Sequence, residues 1–299
     1  MKKLLITGLA LGALCVLILA AWLFLVLAKL PNVSVLKNYR PPAAAEVLDR
    51  NGRILAQYYD RTFRIWIPIA SLPDRVIHAV VTAEDDTFFE HRGVNYKATW
   101  DAFVHDVQKG RFARGGSTIT QQMIKNVLLT REKTMTRKLR EYVLARKAEE
   151  VLTKRQILQI YLNEVEWGDK IHGVEAASRF YFDKHAQDLS VGEAALLAGM
   201  LPNPRYYNPF KRADKAKGRQ EQVLFNMFQA KLITAEEYET ALRSPLDLRR
   251  GAFGSYSRIM SGPNSRPCYQ AALEQILIRL YGEHNLYRSG LTIKTSLDG

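Results

Sequence analysis

The chain has 299 residues, 47% of them hydrophobic and 10% aromatic, enough to bury a sizeable core and too many for a largely disordered chain. Two cysteines exclude a disulfide framework and a four-cysteine zinc site. Lysine and arginine total 43 against 30 acidic residues, and the formal charge of +13 points to an anionic partner: nucleic acid, acidic lipid or a phosphorylated substrate.

Leu4 to Ala28 is a run of 25 residues without a charged side chain. At about 1.5 Å per helical residue it spans roughly 37 Å, sufficient for a hydrocarbon core of about 30 Å. The h-region of a cleavable signal peptide is shorter, about 7–15 residues, so the run reads as a signal anchor. Lys2 and Lys3 precede it and Lys29, Lys37 and Arg40 follow, so charge counting leaves its orientation open. A basic domain tethered there is placed to meet anionic head groups, which makes nucleic acid the poorer partner.

Pro31 to Pro42 reads as a connector. Val47-Leu48 and Arg53 to Tyr58 flank Asp49-Arg50-Asn51-Gly52 and predict a hairpin with an Asn-Gly turn. From Asp74 the pattern is mainly helical. Ser117, Thr153 and Ser190 read as N-caps, the last two with capping boxes closed by Gln156 and Glu193. Residues 211–219, rich in Lys and Arg, read as a solvated face. Tyr269 to Tyr281 predicts an amphipathic helix and Leu291-Thr292-Ile293 a strand. The expected organisation is a stub and anchor over 1–30, a connector over 31–45, a mostly α-helical domain over 46–245 and a tail over 246–299.

Three segments could carry chemistry. Glu84, Phe88 and His91 follow i, i+4, i+7 spacing and would share one face of a helix, with the carboxylate beside an aromatic ring as a candidate general base. The alternative is a solvated or capping acid at a helix end. After Gly115-Gly116, residues Thr118, Gln122 and Lys125 form a polar stripe opposite Ile119, Met123 and Val127. A helix N-terminus with a nearby lysine favours anions, though an ordinary amphipathic helix has the same pattern. Arg137 and Glu141 fit a plain i, i+4 ion pair, or Arg137 and Lys138 bind a phosphate while Glu141 orients them. Between these segments, Trp100, Phe103, Val104 and Val107 recur at helical spacing, which suits core packing or a helix dipping into a membrane interface.

Taken together these segments resemble the bacterial peptidoglycan glycosyltransferase family, found alone or as the N-terminal half of bifunctional penicillin-binding proteins. Five motifs occur in order over roughly residues 45 to 245: Glu84-Asp85 with Phe88, His91 and Gly93; Gly116 to Gln122 with Lys125-Asn126; Arg137-Lys138 with Glu141; Lys154, Ile157-Leu158 and Tyr161-Leu162-Asn163; and Gly173 to Phe182. The resemblance implies a mainly α, lysozyme-like domain with a small membrane-associated lobe behind one transmembrane helix. It implies lipid II as substrate, with the growing glycan strand and membrane lipids as partners, alongside other cell-wall-synthesis proteins and no nucleic acid. By motif, Glu84 becomes the general base and Glu141 the second carboxylate. Lys125, Arg137 and Lys138 become the cations that stabilise the departing pyrophosphate. Thr118, Gln122 and Asn126 shape the site, and Asp85, Phe88 and His91 support Glu84. The implied location is the bacterial cytoplasmic (inner) membrane, single-pass, with the catalytic domain on the outer face. No covalent cofactor is implied, and Mg2+ or Mn2+ stays open because no ligand constellation demands one.

Pyrophosphate is a good leaving group, so such a transfer needs one base and a cation cluster, whereas a glycosidase needs a carboxylic acid for a poor leaving group. A membrane-anchored muramidase and an inactive wall-synthesis scaffold are the competing readings. The tail from Ile276 resembles the start of a penicillin-binding-protein linker. Ser34-Val35-Leu36-Lys37 abuts the span and has no companion Lys-Thr-Gly, so no transpeptidase or β-lactam-binding activity is expected of this chain.

Overall fold

The computed structural model describes residues 2–109, 116–130, 134–245, 247–249 and 268–296. The apolar N-terminal run forms α1 (Lys2–Ala28), a helix long and apolar enough to cross a membrane. The predicted hairpin is present as β1 (Ala45–Leu48) and β2 (Ile54–Tyr58), paired antiparallel. Its turn closes because Asp49 Oδ1 accepts from the backbone N–H groups of Asn51 (2.7 Å) and Arg53 (2.8 Å), and because Gly52 takes a φ of +82°. A short strand, β3 (Phe63–Arg64), follows.

The helical body begins with α2 (Asp74–Glu84), α3 (Tyr96–Lys109), α4 (Ile119–Leu128), α5 (Met135–Val151) and α6 (Lys154–Glu164). After β4 (Ile171–His172), which pairs in parallel with β3, come α7 (Val174–Phe182), α8 (Val191–Met200), α9 (Ala213–Gln229) and α10 (Ala235–Arg243). Every residue of α8 from Gly192 to Met200 is buried, as expected of a helix apolar on all sides. It is the axis against which α2 and α9 pack, while α4 lies between α5 and α6. Trp167, wholly buried, pins the following loop to α8 by donating from Nε1 to the Leu197 carbonyl at 3.1 Å.

The tail contributes α11 (Cys268–Tyr281), α12 (Glu283–Arg288) and β5 (Thr292–Lys294). The strand β5 pairs in parallel with β1, Val47 opposite Ile293, giving a sheet of order β2-β1-β5. Ala45, Val47, Tyr58, Leu277, Leu286 and Ile293 close a small second core beneath it.

Two expectations are corrected. Ser117 is not the N-cap of α4. Thr118 is, with Gln121 completing the capping box. The Glu84–His91 segment is not one helix face either. The helix stops at Glu84, Asp85 turns into extended backbone (φ −165°), and residues 86–93 form a loop. The capping boxes at Thr153 and Ser190 occur where the sequence puts them. On α3, Trp100 is 65% exposed and so is not a core residue, while the side chains of Phe103 and Val107 lie outside the described residues, as does Gly115.

Candidate active site

Glu84 is the last residue of α2, at the end of the helix that packs on α8 and α9. One carboxylate oxygen, Oε2, accepts from Gln122 Nε2 on α4 at 2.6 Å, and the other, Oε1, is buried with no hydrogen-bond partner. Gln122 is itself oriented by Tyr161 of α6, whose hydroxyl donates to Gln122 Oε1 at 3.3 Å. Burial pushes the Glu84 carboxyl above its ordinary range, and the Gln122 hydrogen bond and the charges of Arg219 and Lys125 oppose that rise. The result is a desolvated carboxylate with one lone-pair face free, which suits proton abstraction.

The loop after Glu84 is fixed by its neighbour. Asp85 accepts from the backbone N–H of Ile119 at 2.9 Å, at the start of α4, and both its oxygens lie 3.0 Å from His91 Nε2. His91 therefore serves Asp85 and does not face Glu84. Phe88 is fully buried, with the Lys154 ammonium 4.4 Å from its ring centroid. That ammonium also donates to the His91 carbonyl (2.6 Å) and pairs with Glu149 (2.7 Å). Gly93 takes a φ of +86° where a Cβ would stand 2.5 Å from the Ala145 carbonyl oxygen, so only glycine lets the loop lie on α5. Thr118 bridges loop and helix: its hydroxyl donates to the Gly93 carbonyl (2.7 Å) and accepts from the Gln121 N–H.

The cations converge on Glu141. This residue of α5 is 2% exposed, with Lys138 Nζ 3.0 Å from Oε2 and Arg137 Nη1 3.0 Å from Oε1. Lys138 also donates to Ser117 Oγ at 2.8 Å, which ties the start of α4 to α5. Lys125, on α4, has no ion pair or hydrogen bond among the described residues. Burial holds its ammonium below the ordinary lysine range, Arg137 and Lys138 repel it, and Glu141 and Glu84 attract it. It is thus the cation left uncommitted between the two carboxylates. Asn126 is exposed on the same helix.

The sequence motifs contain these groups, but spacing gave wrong reasons for several of them, the Glu84–Phe88–His91 face included. Thr118 acts as a cap instead of joining a helical stripe, and Glu141 is buried, so its pair with Arg137 is no plain surface ion pair. The charge-rich segment 211–219 is mostly exposed, as expected of a solvated face, but Arg219 at its end is half-buried and acts on Glu84. Its signal is a position on the inner side of α9, which charge composition hides. Tyr161 and Lys154, members of the fourth motif, also turn inward to the site.

The described residues do not fit a resident divalent ion. Glu141 already faces two cations, and no group of three or more His, Cys, Asp or Glu side chains converges among the described residues.

The model of the transglycosylase family matches residues 51–228, the stretch that holds every group described above, and the chain belongs to that family. It is 39% identical over 250 residues to penicillin-binding protein 1A of Aquifex aeolicus, covering 84% of this chain and 34% of that protein. To penicillin-binding protein 1A of Neisseria lactamica it is 35% identical over 289 residues, covering 96% and 34%. The chain thus spans about a third of the length of the curated relatives it matches. Among solved structures, penicillin-binding protein 1A from Haemophilus influenzae matches 87% of this chain and 28% of its own, at 20% identity and a TM-score of 0.44.

Proposed function

We propose that the chain polymerises lipid II by glycosyl transfer. The observation that carries this is the pairing of a buried carboxylate having one unpartnered oxygen, Glu84, with three cations on the adjoining helices α4 and α5. Glu84 takes the proton of the acceptor 4-hydroxyl as that oxygen bonds to C1 of the donor sugar. The C1–O bond to the lipid pyrophosphate breaks with inversion, and the electron pair leaves on the phosphate oxygen. Lys125 meets that charge first, since it carries no counter-ion of its own, and Arg137 and Lys138 are held alongside by Glu141. Gln122 fixes the orientation of Glu84, and the Asp85–His91 pair fixes the loop beside it. No step passes through a metal.

The raised Glu84 carboxyl also suits a general acid, the role a muramidase requires. The cation cluster favours transfer, because a hydrolase with an alcohol leaving group has no phosphate charge to neutralise. The first helix would anchor the domain in the cytoplasmic membrane with the site on the outer face. The exposed Phe89, Tyr96 and Trp100 then become candidates to meet lipid.

Detergent-solubilised chain incubated with labelled lipid II should yield polymer that a muramidase digests. A Glu84→Gln variant should lose roughly 10²-fold or more of that turnover. Equal polymer from the variant would remove Glu84 as base, and shortening of mature glycan would establish the muramidase instead.

A further inference from the structure

A second cationic site lies where the anchor meets the domain. The chain leaves α1 at Ala28, and Lys29, Leu30 and Pro31 form one wall of a cleft whose other wall is the end of α4 and the first turns of α5. The cleft is open on one side and has a volume of about 600 Å³. Among the described residues three cations line it, Lys29, Arg137 and Arg140, and no acidic residue does. Of these, Arg137 has a counter-charge among the described residues, Glu141. Lys29 and Arg140 have no ion pair among the described residues, and the Nε atoms of both arginines are buried without a hydrogen-bond partner.

The remaining lining sorts by chemistry. Thr134, the N-cap of α5, and Thr136 bring the start of that helix to the cleft, adding backbone N–H groups and the positive end of a 17-residue helix. Leu30, Leu128 and Leu129 give an apolar side. Two cations without an ion pair among the described residues, Lys29 and Arg140, next to an apolar wall where an apolar helix long enough to span a membrane ends, match a group that is anionic at one end and aliphatic at the other. Glu84, Gln122 and Lys125 are absent from the lining, so the cleft is a neighbour of the active site that shares one side chain with it, Arg137.

We infer that this cleft binds the phosphodiester of an anionic membrane glycerophospholipid, through Lys29, Arg140 and Arg137, with the glycerol and first methylenes against the leucines. The bound lipid would seat the domain at a fixed height on the bilayer and touch the cation that Glu141 also holds. Binding does not depend on the glycosyl-transfer reading.

The test is native mass spectrometry of the full chain released from mixed micelles. Phosphatidylglycerol should stay bound to the wild type, and phosphatidylcholine should not. The Lys29→Gln/Arg140→Gln double variant should retain at least about tenfold less phosphatidylglycerol at an unchanged Tm, and Arg140→Lys should keep most of it. Equal retention of the two lipids, or retention unaffected by the double variant, overturns the proposal. Displacement of phosphatidylglycerol by farnesyl pyrophosphate with the same dependence on Lys29 and Arg140 also overturns it, by making the cleft a pyrophosphate subsite. A wild type that retains phosphatidylglycerol but polymerises nothing would sink the proposed reaction and leave this site standing.

Discussion

At the scale of single residues the decisive balance is around Glu84. Burial raises its carboxyl, whereas Gln122, Arg219 and Lys125 oppose the rise. As the proposed base, Glu84 must be ionised to act, so turnover should rise with pH through a limb set above the ordinary 4.5 of a glutamate. It should fall again as Lys125 loses its proton, below the ordinary 10.5 of a lysine. Replacing Arg219 by Gln removes a charge that favours the carboxylate, and the acidic limb should move to higher pH with the basic limb unmoved. A pH profile of kcat/KM checks this, and an acidic limb that stays in place would make Arg219 purely structural. The same balance has a stability consequence. A carboxyl whose folded pKa lies above its unfolded one favours the fold when protonated, and that contribution is lost as pH rises through the folded value. Glu84→Gln should therefore raise Tm at pH 7, and the gain should vanish below about pH 4, where both states are protonated. Scanning calorimetry at the two pH values separates this from a general effect of the substitution.

At the scale of elements, the site is assembled by the end of α2, the loop after it, and the helices α4, α5 and α6. Gly93→Ala puts a Cβ 2.5 Å from the Ala145 oxygen at a φ of +86°, so the loop must lift from α5. That movement strains the Thr118–Gly93 and Lys154–His91 hydrogen bonds as well. We expect a loss of more than about 2 kcal/mol in urea unfolding together with loss of polymerisation. Thr153→Ala, which removes a cap on α6 at the Lys154 end, should cost about 1 kcal/mol. A Gly93→Ala protein as stable as the Thr153→Ala protein would contradict the close approach. These two positions also show what the sequence made legible. A capping box is written within four residues, so Thr153 and Ser190 were readable, and the motif strings carried Glu84, Gln122, Lys125 and Glu141. The end of α2 was not readable from periodicity, because Asp85 is drawn out of the helix by the Ile119 N–H and by His91, and the first of these lies far along the chain. Arg219 escaped for the same reason: only the packing of α9 on α2 and α8 singles it out from the cations before it.

At the scale of the whole molecule the described chain has two cores of unequal size. The larger joins α2, α4, α8 and α9, and the smaller lies under the β2-β1-β5 sheet with α11 and α12. Their joint is polar as well as covalent: Arg179 of α7 pairs with Glu175 on its own helix (2.7 Å) and with Glu46 of β1 (2.8 Å), and Arg288 pairs with Asp60 at 2.6 Å. A small core of this kind is expected to open at lower free energy than the larger body. Leu286 is fully buried in it, and truncation to Ala removes contacts worth about 2–5 kcal/mol. Leu286→Ala should therefore speed amide hydrogen exchange at least about tenfold in α11, α12 and β5, with α8 unchanged. Because β1 pairs on both edges, exchange in β2 should rise less than in β5. Glu84, Gln122 and Glu141 belong to elements of the larger core, so the polymerisation proposed for this chain should stay within about twofold of wild type in Leu286→Ala. Exchange accelerated equally in α8 would show that the two cores unfold as one cooperative unit.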